Sequence, residues 1–237
     1  MARFRIMTDL PRNLAAVRRT LEDAGVRTEL RGSGDVPVLG VSQDSRTVRE
    51  GDLFLAWRGV HHDAHDHLED VLGRGAAAAL VERFVDLPLP QVKVEDGRRA
   101  AALVAQAMAG SPSRSLRIAA VTGTNGKTTT VLLTRHLLGH QGSCAAIGTL
   151  GLTGPDGKVV PGTEGLTTPG PVSLATLFRE LADRGVTMVT MEASSHALDQ
   201  RRLDGVEFEV AVFTNFTQDH LDYHLNLESY HSAKARL

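Results

Sequence analysis

Residues 116–121 read LRIAAV, the next nine read TGTNGKTTT, and VLLTRHLL follows. An apolar strand that enters a glycine turn carrying a lysine and hydroxyls, and leaves as a helix, constrains this chain more than any other stretch. A backbone wrapped around phosphate must turn several N–H groups inward. Glycine reaches the dihedrals this needs without a Cβ clash. The helix behind it aims its unpaired N–H groups at the same anion. The spacing predicts a phosphate loop over Gly123, Thr124, Asn125, Gly126, Lys127, Thr128 and Thr129. In it Lys127 reaches β- and γ-phosphates and the Thr128 hydroxyl holds Mg²⁺. The widespread pattern G-x-x-x-x-G-K-[ST] wants glycine at 121, where this chain has Val121, so the loop is tighter.

A phosphate loop implies a parallel sheet, and the rest of the chain supplies one. CAAIGTLG (144–151) reads as a strand, PVSLATLFRELADRG (171–185) as a helix, VTMVTME (186–192) as a buried strand and VEFEVAVFTN (206–215) as another. A mostly helical tail, DHLDYHLNLESYHSAKARL, follows. Such alternation predicts right-handed βαβ units with any ligand at the strand C-termini. Upstream, Leu10, Leu14, Val17, Leu21 and Ala24 share one helical face that ends near Gly25. DLFLAW (52–57) and QVKV (91–94) read as strands, GAAAALVE (75–82) as a helix end running into a strand, and RRAAALVAQAMA (98–109) as a helix. GSPSRS (110–115) has turn residues and no periodicity. The expected organisation is two α/β domains, 1–112 and 113–237.

Composition narrows the partners. Lys and Arg total 26 against 28 Asp and Glu, so a net charge of −2 offers no field for nucleic acid. The single cysteine, Cys144, leaves no intrachain disulfide and suits a reducing compartment. The N-terminal MARFRIMTDLPRNL has no signal-peptide core, and AAAALV is far too short to span a bilayer. The expectation is a cytoplasmic monomer with no membrane partner.

Two further strand ends carry polar residues that core packing does not explain. MEASSHALDQRR (191–202) puts Glu192 where a nucleotide-binding fold places its Mg²⁺-linked carboxylate, beside Ser194, Ser195 and His196. Ser195 and His196 make a poor hydrolase pair, being adjacent and outside any G-x-S-x-G elbow. FTNFTQDHLDYH (213–224) gathers His220, Asp222 and His224, which suit a metal or a nucleotide. Asp219 also fits a helix cap, with His224 idle. HHDAHDH (61–67) matches no common zinc spacing. Asp44-Ser45-Arg46 on its own also fits a local turn. Trp57 reads as core, and Arg201 as a solvated charge.

TGTNGKTTT, TTPGP, MEASSHAL with Gln200 and Arg202, FTNFTQDHLDYH and Y-x-x-AK together resemble the Mur ligase family. Within it they are most similar to the group that adds the third peptide residue in peptidoglycan synthesis. VSQDSRTVREGDLFLAWRGVHHDAHDH is similar to the family's UDP-sugar segment, so the resemblance covers nearly the whole chain. One departure is Ala64, where the family has glycine. The resemblance implies an N-terminal UDP-binding domain and a central ATP-binding domain that is incomplete at Leu237. The third, C-terminal domain is then missing, and the fragment is expected to be inactive alone.

It also implies a reaction. ATP phosphorylates the terminal carboxylate of UDP-N-acetylmuramoyl-L-alanyl-D-glutamate, and the amine of an amino acid attacks the acyl phosphate. A free carboxylate is a poor electrophile at neutral pH, and the site must neutralise a crowd of oxygens. By the resemblance Gln43, Ser45 and the loop Val60, His61 and His62 contact the uridine diphosphate. Thr167 and Thr168 bind the sugar-peptide, and Ser194, Gln200 and Arg202 surround its carboxylates, Arg202 by a guanidinium fork. Lys234 matches a lysine that is carbamylated in the family, and with Glu192 and His220 it would hold a second Mg²⁺. Whether the amino acid is meso-diaminopimelate or L-lysine is not legible. A folylpolyglutamate-synthase-like ligase shares the loop, and a non-catalytic nucleotide-binding module is the alternative of another class.

Overall fold

The computed structural model describes residues 10–59 and 62–237. The chain divides between Gly110 and Ser111 into two compact units. The N-terminal unit runs α1 (Leu14–Asp23), β1 (Glu29–Arg31), β2 (Gly40–Ser42), β3 (Asp52–Leu55), α2 (Leu68–Gly73), β4 (Ala78–Val81), β5 (Gln91–Lys93) and α3 (Gly97–Met108). Its sheet has the order β1-β5-β4-β3-β2, parallel except for the edge pair β1–β5. β3 and β4 are buried at every position, which is why they read as unbroken apolar runs. α1 buries Leu14, Val17 and Leu21. Leu10 does not join that face. Asn13 caps the helix by accepting from the Ala16 N–H, so the helix starts after it and Leu10 is left exposed.

The second unit runs β6 (Arg117–Thr122), α4 (Lys127–Gly139), β7 (Cys144–Gly148), β8 (Gly151–Thr153), α5 (Pro171–Asp183), β9 (Met188–Glu192), α6 (Ser195–Asp199), β10 (Val210–Phe213), α7 (Leu221–His224) and α8 (Leu227–Lys234). The sheet order is β10-β6-β9-β7-β8, again parallel save for the edge pair β7–β8. α5 packs Leu174, Phe178 and Leu181 in one core with Ile118, Ile147, Val189 and Met191. Burying a side chain such as Phe178 contributes roughly 2–3 kcal/mol. Val131 of α4 packs with Val121 and Ala146 in a separate cluster. No helix among the described residues is long and apolar enough to cross a membrane.

Residues 144–151, expected as one strand, form a hairpin instead. Gly151 takes φ +87° and β8 turns back antiparallel onto β7. A side chain there would clash with Thr163, whose hydroxyl lies 2.6 Å from an added Cβ. β1 and β2 were not expected. Each is three residues long and neither is apolar along its length, so periodicity has little to act on. The helical tail breaks at Leu225, which takes φ +67° between α7 and α8.

Candidate active site

In the second unit the strand C-termini converge. Gly123 and Gly126 take φ +138° and +85°. A Cβ on Gly123 would come within 2.0 Å of the Thr214 hydroxyl, so glycine is required twice over there. α4 starts at Lys127 behind Gly126 with no side-chain cap, which leaves its first turn open to an anion. The loop is clasped by the segment after β10. Asn215 O accepts from Thr124 N (2.9 Å), Asn215 Oδ1 accepts from Asn125 N (3.0 Å), and Thr214 donates its hydroxyl to Asn125 O (2.7 Å). Thr214, Asn215 and Thr217 had no assigned role. Their signal lay in FTNFTQ, but side chains bonding a distant loop leave no periodic trace.

Lys127 folds back on its own loop and donates to Gly123 O and Thr124 O, both at 2.9 Å. Burial holds its pKa below the usual lysine value, against the pull of Glu192 and Asp219. Thr128 donates its hydroxyl to Glu192 Oε1 at 2.9 Å. Glu192 is buried, and Oε1 also accepts from Thr149 N at 2.8 Å. Thr129 is exposed on the first turn of α4.

Beside the loop lies a cavity of about 300 Å³ lined in part by Lys127, Thr167, Thr168, Ser194, Ser195, His196, Arg202, His220 and Lys234. Thr168 is buried, donates to Glu192 O (2.9 Å) and accepts from Ser194 N (3.0 Å). The Thr167 hydroxyl lies 3.1 Å from that of Thr149. Arg202 donates to Thr168 O (2.9 Å) and, through Nε and Nη2, to Gln200 Oε1 (3.1 and 2.7 Å). Gln200 in turn donates to the Tyr223 phenol at 3.2 Å. Arg201, expected as a solvated charge, is half-buried and pairs with Asp204 at 3.4 Å.

Lys234 is 2% exposed, far from the solvent-facing lysine that its place near the end of a polar helix suggests. Its ammonium donates to Gly123 O at 2.7 Å and sits 4.5 Å from the Tyr230 ring centroid. Burial, then the neighbouring Lys127, lowers its pKa to about 8. His220 takes φ +52°, is exposed, and meets the His196 ring at 4.7 Å between centroids. Asp219 does not cap α7. Its carboxylate accepts from the His220 N–H, one residue on. His224 is buried among His196, Tyr223 and Tyr230.

The first unit carries its own open groove of about 840 Å³, whose lining includes Gln43, Ser45, Arg46, Trp57, His62 and His67. Ser45 opens a short 3-10 turn that Asp44 caps through the Arg46 N–H, so the local-turn geometry and a place at the groove coexist. Val60 and His61 lie outside the described residues. Ala64 is not among the residues with positive φ, so alanine stands there without backbone strain. His65, in the histidine run, is buried with Nδ1 2.5 Å from Asp63 and Nε2 accepting from Glu82 N at 2.9 Å. No group of three or more His, Cys, Asp or Glu poised for a metal occurs among the described residues.

Residues 121–237 match the Mur ligase middle domain. The Geobacter metallireducens protein named UDP-N-acetylmuramoyl-L-alanyl-D-glutamate–2,6-diaminopimelate ligase is 45% identical over 213 residues, covering 89% of this chain and 41% of that protein. Its namesake from Mesorhizobium japonicum is 46% identical over 209 residues, covering 86% of this chain and 42% of that one. A solved structure of a ligase of the same name superposes with a TM-score of 0.75 at 34% identity, over 88% of this chain and 42% of its own. The chain thus spans about two fifths of the length of the curated relatives it matches. The glycine loop, buried Glu192 and Lys234 all lie within residues 121–237, the segment that is a Mur ligase middle domain.

Proposed function

We propose that the protein is an ATP-dependent amide ligase that joins 2,6-diaminopimelate to UDP-N-acetylmuramoyl-L-alanyl-D-glutamate through an acyl phosphate. Relatives 45% and 46% identical over most of this chain bear that name, which favours diaminopimelate over lysine. Those relatives are more than twice as long, so the complete reaction is assigned to a protein of their length. Within it residues 1–112 bind the UDP-sugar through Gln43, Ser45, Val60, His61 and His62, and residues 113–237 bind ATP and the dipeptide end.

The observation that carries this reading is the 2.9 Å hydrogen bond from Thr128 to buried Glu192, directly behind a glycine loop that opens a helix. The oxygen donors there suit a hard cation such as Mg²⁺, with water and phosphate oxygens completing its shell. When bound, the cation supplies charge to offset crowded phosphate oxygens. The chain's own groups do the rest. Gly123 to Thr129 offer backbone N–H groups, and a bound phosphate competes for the Lys127 ammonium that now rests on Gly123 and Thr124. Arg202, held by Thr168 and Gln200, presents cationic N–H groups to a carboxylate beside Ser194 and Thr167. Lys234 as an ammonium has no lone pair for a cation. Its lowered pKa raises the share of neutral amine, which can add CO₂ with loss of a proton to solvent, and the resulting carbamate would supply oxygens to the cavity that Lys234 lines with His220.

The test is a ligation assay on the protein at its relatives' length, with UDP-N-acetylmuramoyl-L-alanyl-D-glutamate, ATP and Mg²⁺, offering diaminopimelate or L-lysine. The expected result is a tripeptide product with diaminopimelate and stoichiometric ADP. ADP without product, or product only with lysine, contradicts the assignment. Residues 1–237 alone are expected to bind ligands without sustained ligation.

A further inference from the structure

Trp57 has no role in the reading above, and the sequence alone puts it in the core. It is in fact only half-buried, just beyond the end of β3, in the wall of the 840 Å³ groove that also holds Gln43, Ser45 and His62. Phe54 and Leu55, which share that wall, are 1% and 0% exposed. Among the described lining residues Trp57 is therefore the large apolar ring with surface left to offer. Its root is fixed. Its carbonyl accepts from Ala64 N at 3.2 Å, and its Cβ lies against Gly97, where an added side chain would approach within 2.7 Å. Gln43, lining the same groove, has a buried side-chain oxygen with no hydrogen-bond partner among the described residues. A buried acceptor without a donor is costly unless a ligand or water supplies one.

A flat face with a polar edge answers both observations. The uracil ring has an N3–H donor between two carbonyls and an apolar face on either side. We propose that Trp57 is a further ligand-contacting residue, against whose indole the uracil base of the UDP-sugar packs while Gln43 accepts from N3–H. This rests on the reading of the first unit as a uridine-nucleotide site. Packing of a base on an aromatic ring survives replacement by another aromatic and is lost with alanine, at about ten-fold or more in affinity. Adenine has no N–H at the matching ring position and leaves the Gln43 oxygen unpaired.

Trp57 is the single tryptophan of the chain, so its emission reports on this groove alone. The experiment titrates residues 1–237 with UDP and, separately, with ADP, followed by tryptophan fluorescence and by calorimetry. Saturable quenching by UDP is expected, with the calorimetric Kd, and none by ADP. Trp57→Phe should bind UDP within about three-fold of the parent, and Trp57→Ala about ten-fold or more weaker. Far-UV circular dichroism checks that each variant folds, and the parent's fluorescence stands independently of them. UDP binding that leaves the emission unchanged and is equally tight in Trp57→Ala overturns the role of Trp57 while keeping the uridine site. No heat from UDP at millimolar concentration overturns the uridine site and Trp57's role together.

Discussion

Two glutamates stand at strand ends in five-stranded sheets, and their hydrogen-bond partners differ in kind. Glu82 follows β4 in the first unit, and Glu192 ends β9 in the second. The carboxylate of Glu82 accepts from two backbone donors, Arg58 N and Gly97 N, both at 2.9 Å. It ties the loop after β3 to the start of α3, and the added Cβ at Gly97 would lie 2.9 Å from its Oε1. Glu192 accepts from the Thr128 hydroxyl and from Thr149 N at 2.9 and 2.8 Å. A backbone N–H can only donate, so Glu82 is a closed clasp. A hydroxyl keeps lone pairs and can turn them to a cation, so Glu192 sits in a shell that can be rearranged. Position at a strand end therefore does not separate structure from chemistry. The kind of partner does.

The contrast is broken first at its cationic side. Lys127→Ala in the proposed ligase, assayed at its relatives' length, should lower turnover by about 10³-fold or more, since an ammonium on transferring phosphate oxygens acts mainly in the transition state. The fold should survive, because Lys127 bonds only loop carbonyls. Near-normal turnover by a folded Lys127→Ala enzyme would remove the phosphate loop from the mechanism.

The paired test is Glu192→Gln against Glu82→Gln. Glu192→Gln should cost about 10²-fold in activity, with weakened dependence on Mg²⁺. Glu82→Gln turns an amide N–H toward one of two backbone donors and should destabilise the first unit by about 1–3 kcal/mol. It should leave ADP affinity of the second unit alone. Denaturant titration and ADP calorimetry read both. Equal effects of the two substitutions on ADP binding would erase the distinction.

Much of this was legible in the sequence because it depends on local order. The strand, the glycines and Lys127 are consecutive, and parallel strands buried on both faces announce themselves as apolar runs, as at 188–192. What was not legible depends on contacts distant in the chain. Lys234 lies on a helix that buries only Tyr230, Ala233 and Lys234, and nothing local says that its ammonium reaches Gly123 O, 111 positions away. Trp57 misled for the opposite reason: it extends a buried strand, and the groove beside it is built by residues elsewhere in the chain. The Thr214–Asn215 clasp lay inside a recognised motif, but only the folded loop shows which groups its polar atoms meet.

A smaller effect separates buried charge from buried clasp by pH. The folded-state pKa of Lys234 lies near 8, below its ordinary value of 10.5. Between those values the unfolded chain binds more protons, so stability rises with pH across that window, and below about pH 8 the full penalty applies. The shift corresponds to about 3 kcal/mol, partly offset by the hydrogen bond to Gly123 O and the Tyr230 ring. In CO₂-free buffer Lys234→Met should therefore raise Tm at pH 7 by a few degrees, with the gain shrinking toward pH 10. A gain that is independent of pH would mean that packing, not the charge, is responsible.

The smallest change tests how α8 is fastened to the glycine loop. Tyr230 is fully buried, with its phenol donating to the Thr124 hydroxyl at 3.2 Å and its ring between Lys234 and Phe216. Tyr230→Phe keeps the ring and removes one hydrogen bond. Thr124 stays satisfied, because its oxygen still accepts from Thr217 N (3.0 Å) and its hydroxyl can donate to Thr217 O (3.1 Å). The cost should be about 1 kcal/mol, a drop of roughly 2–4 °C in Tm for a chain of this size. ADP affinity should fall only about two- to three-fold, since the Thr214–Asn215 clasp still holds the loop. Tyr230→Leu removes the ring as well and should cost several times more stability, with Lys234 losing its aromatic face. If Tyr230→Phe and Tyr230→Leu melt together, the phenol bond is the whole connection. If Tyr230→Phe is silent in both stability and ADP binding, α8 is held by ring packing alone, and the tie to Thr124 does not position Lys234 over the loop.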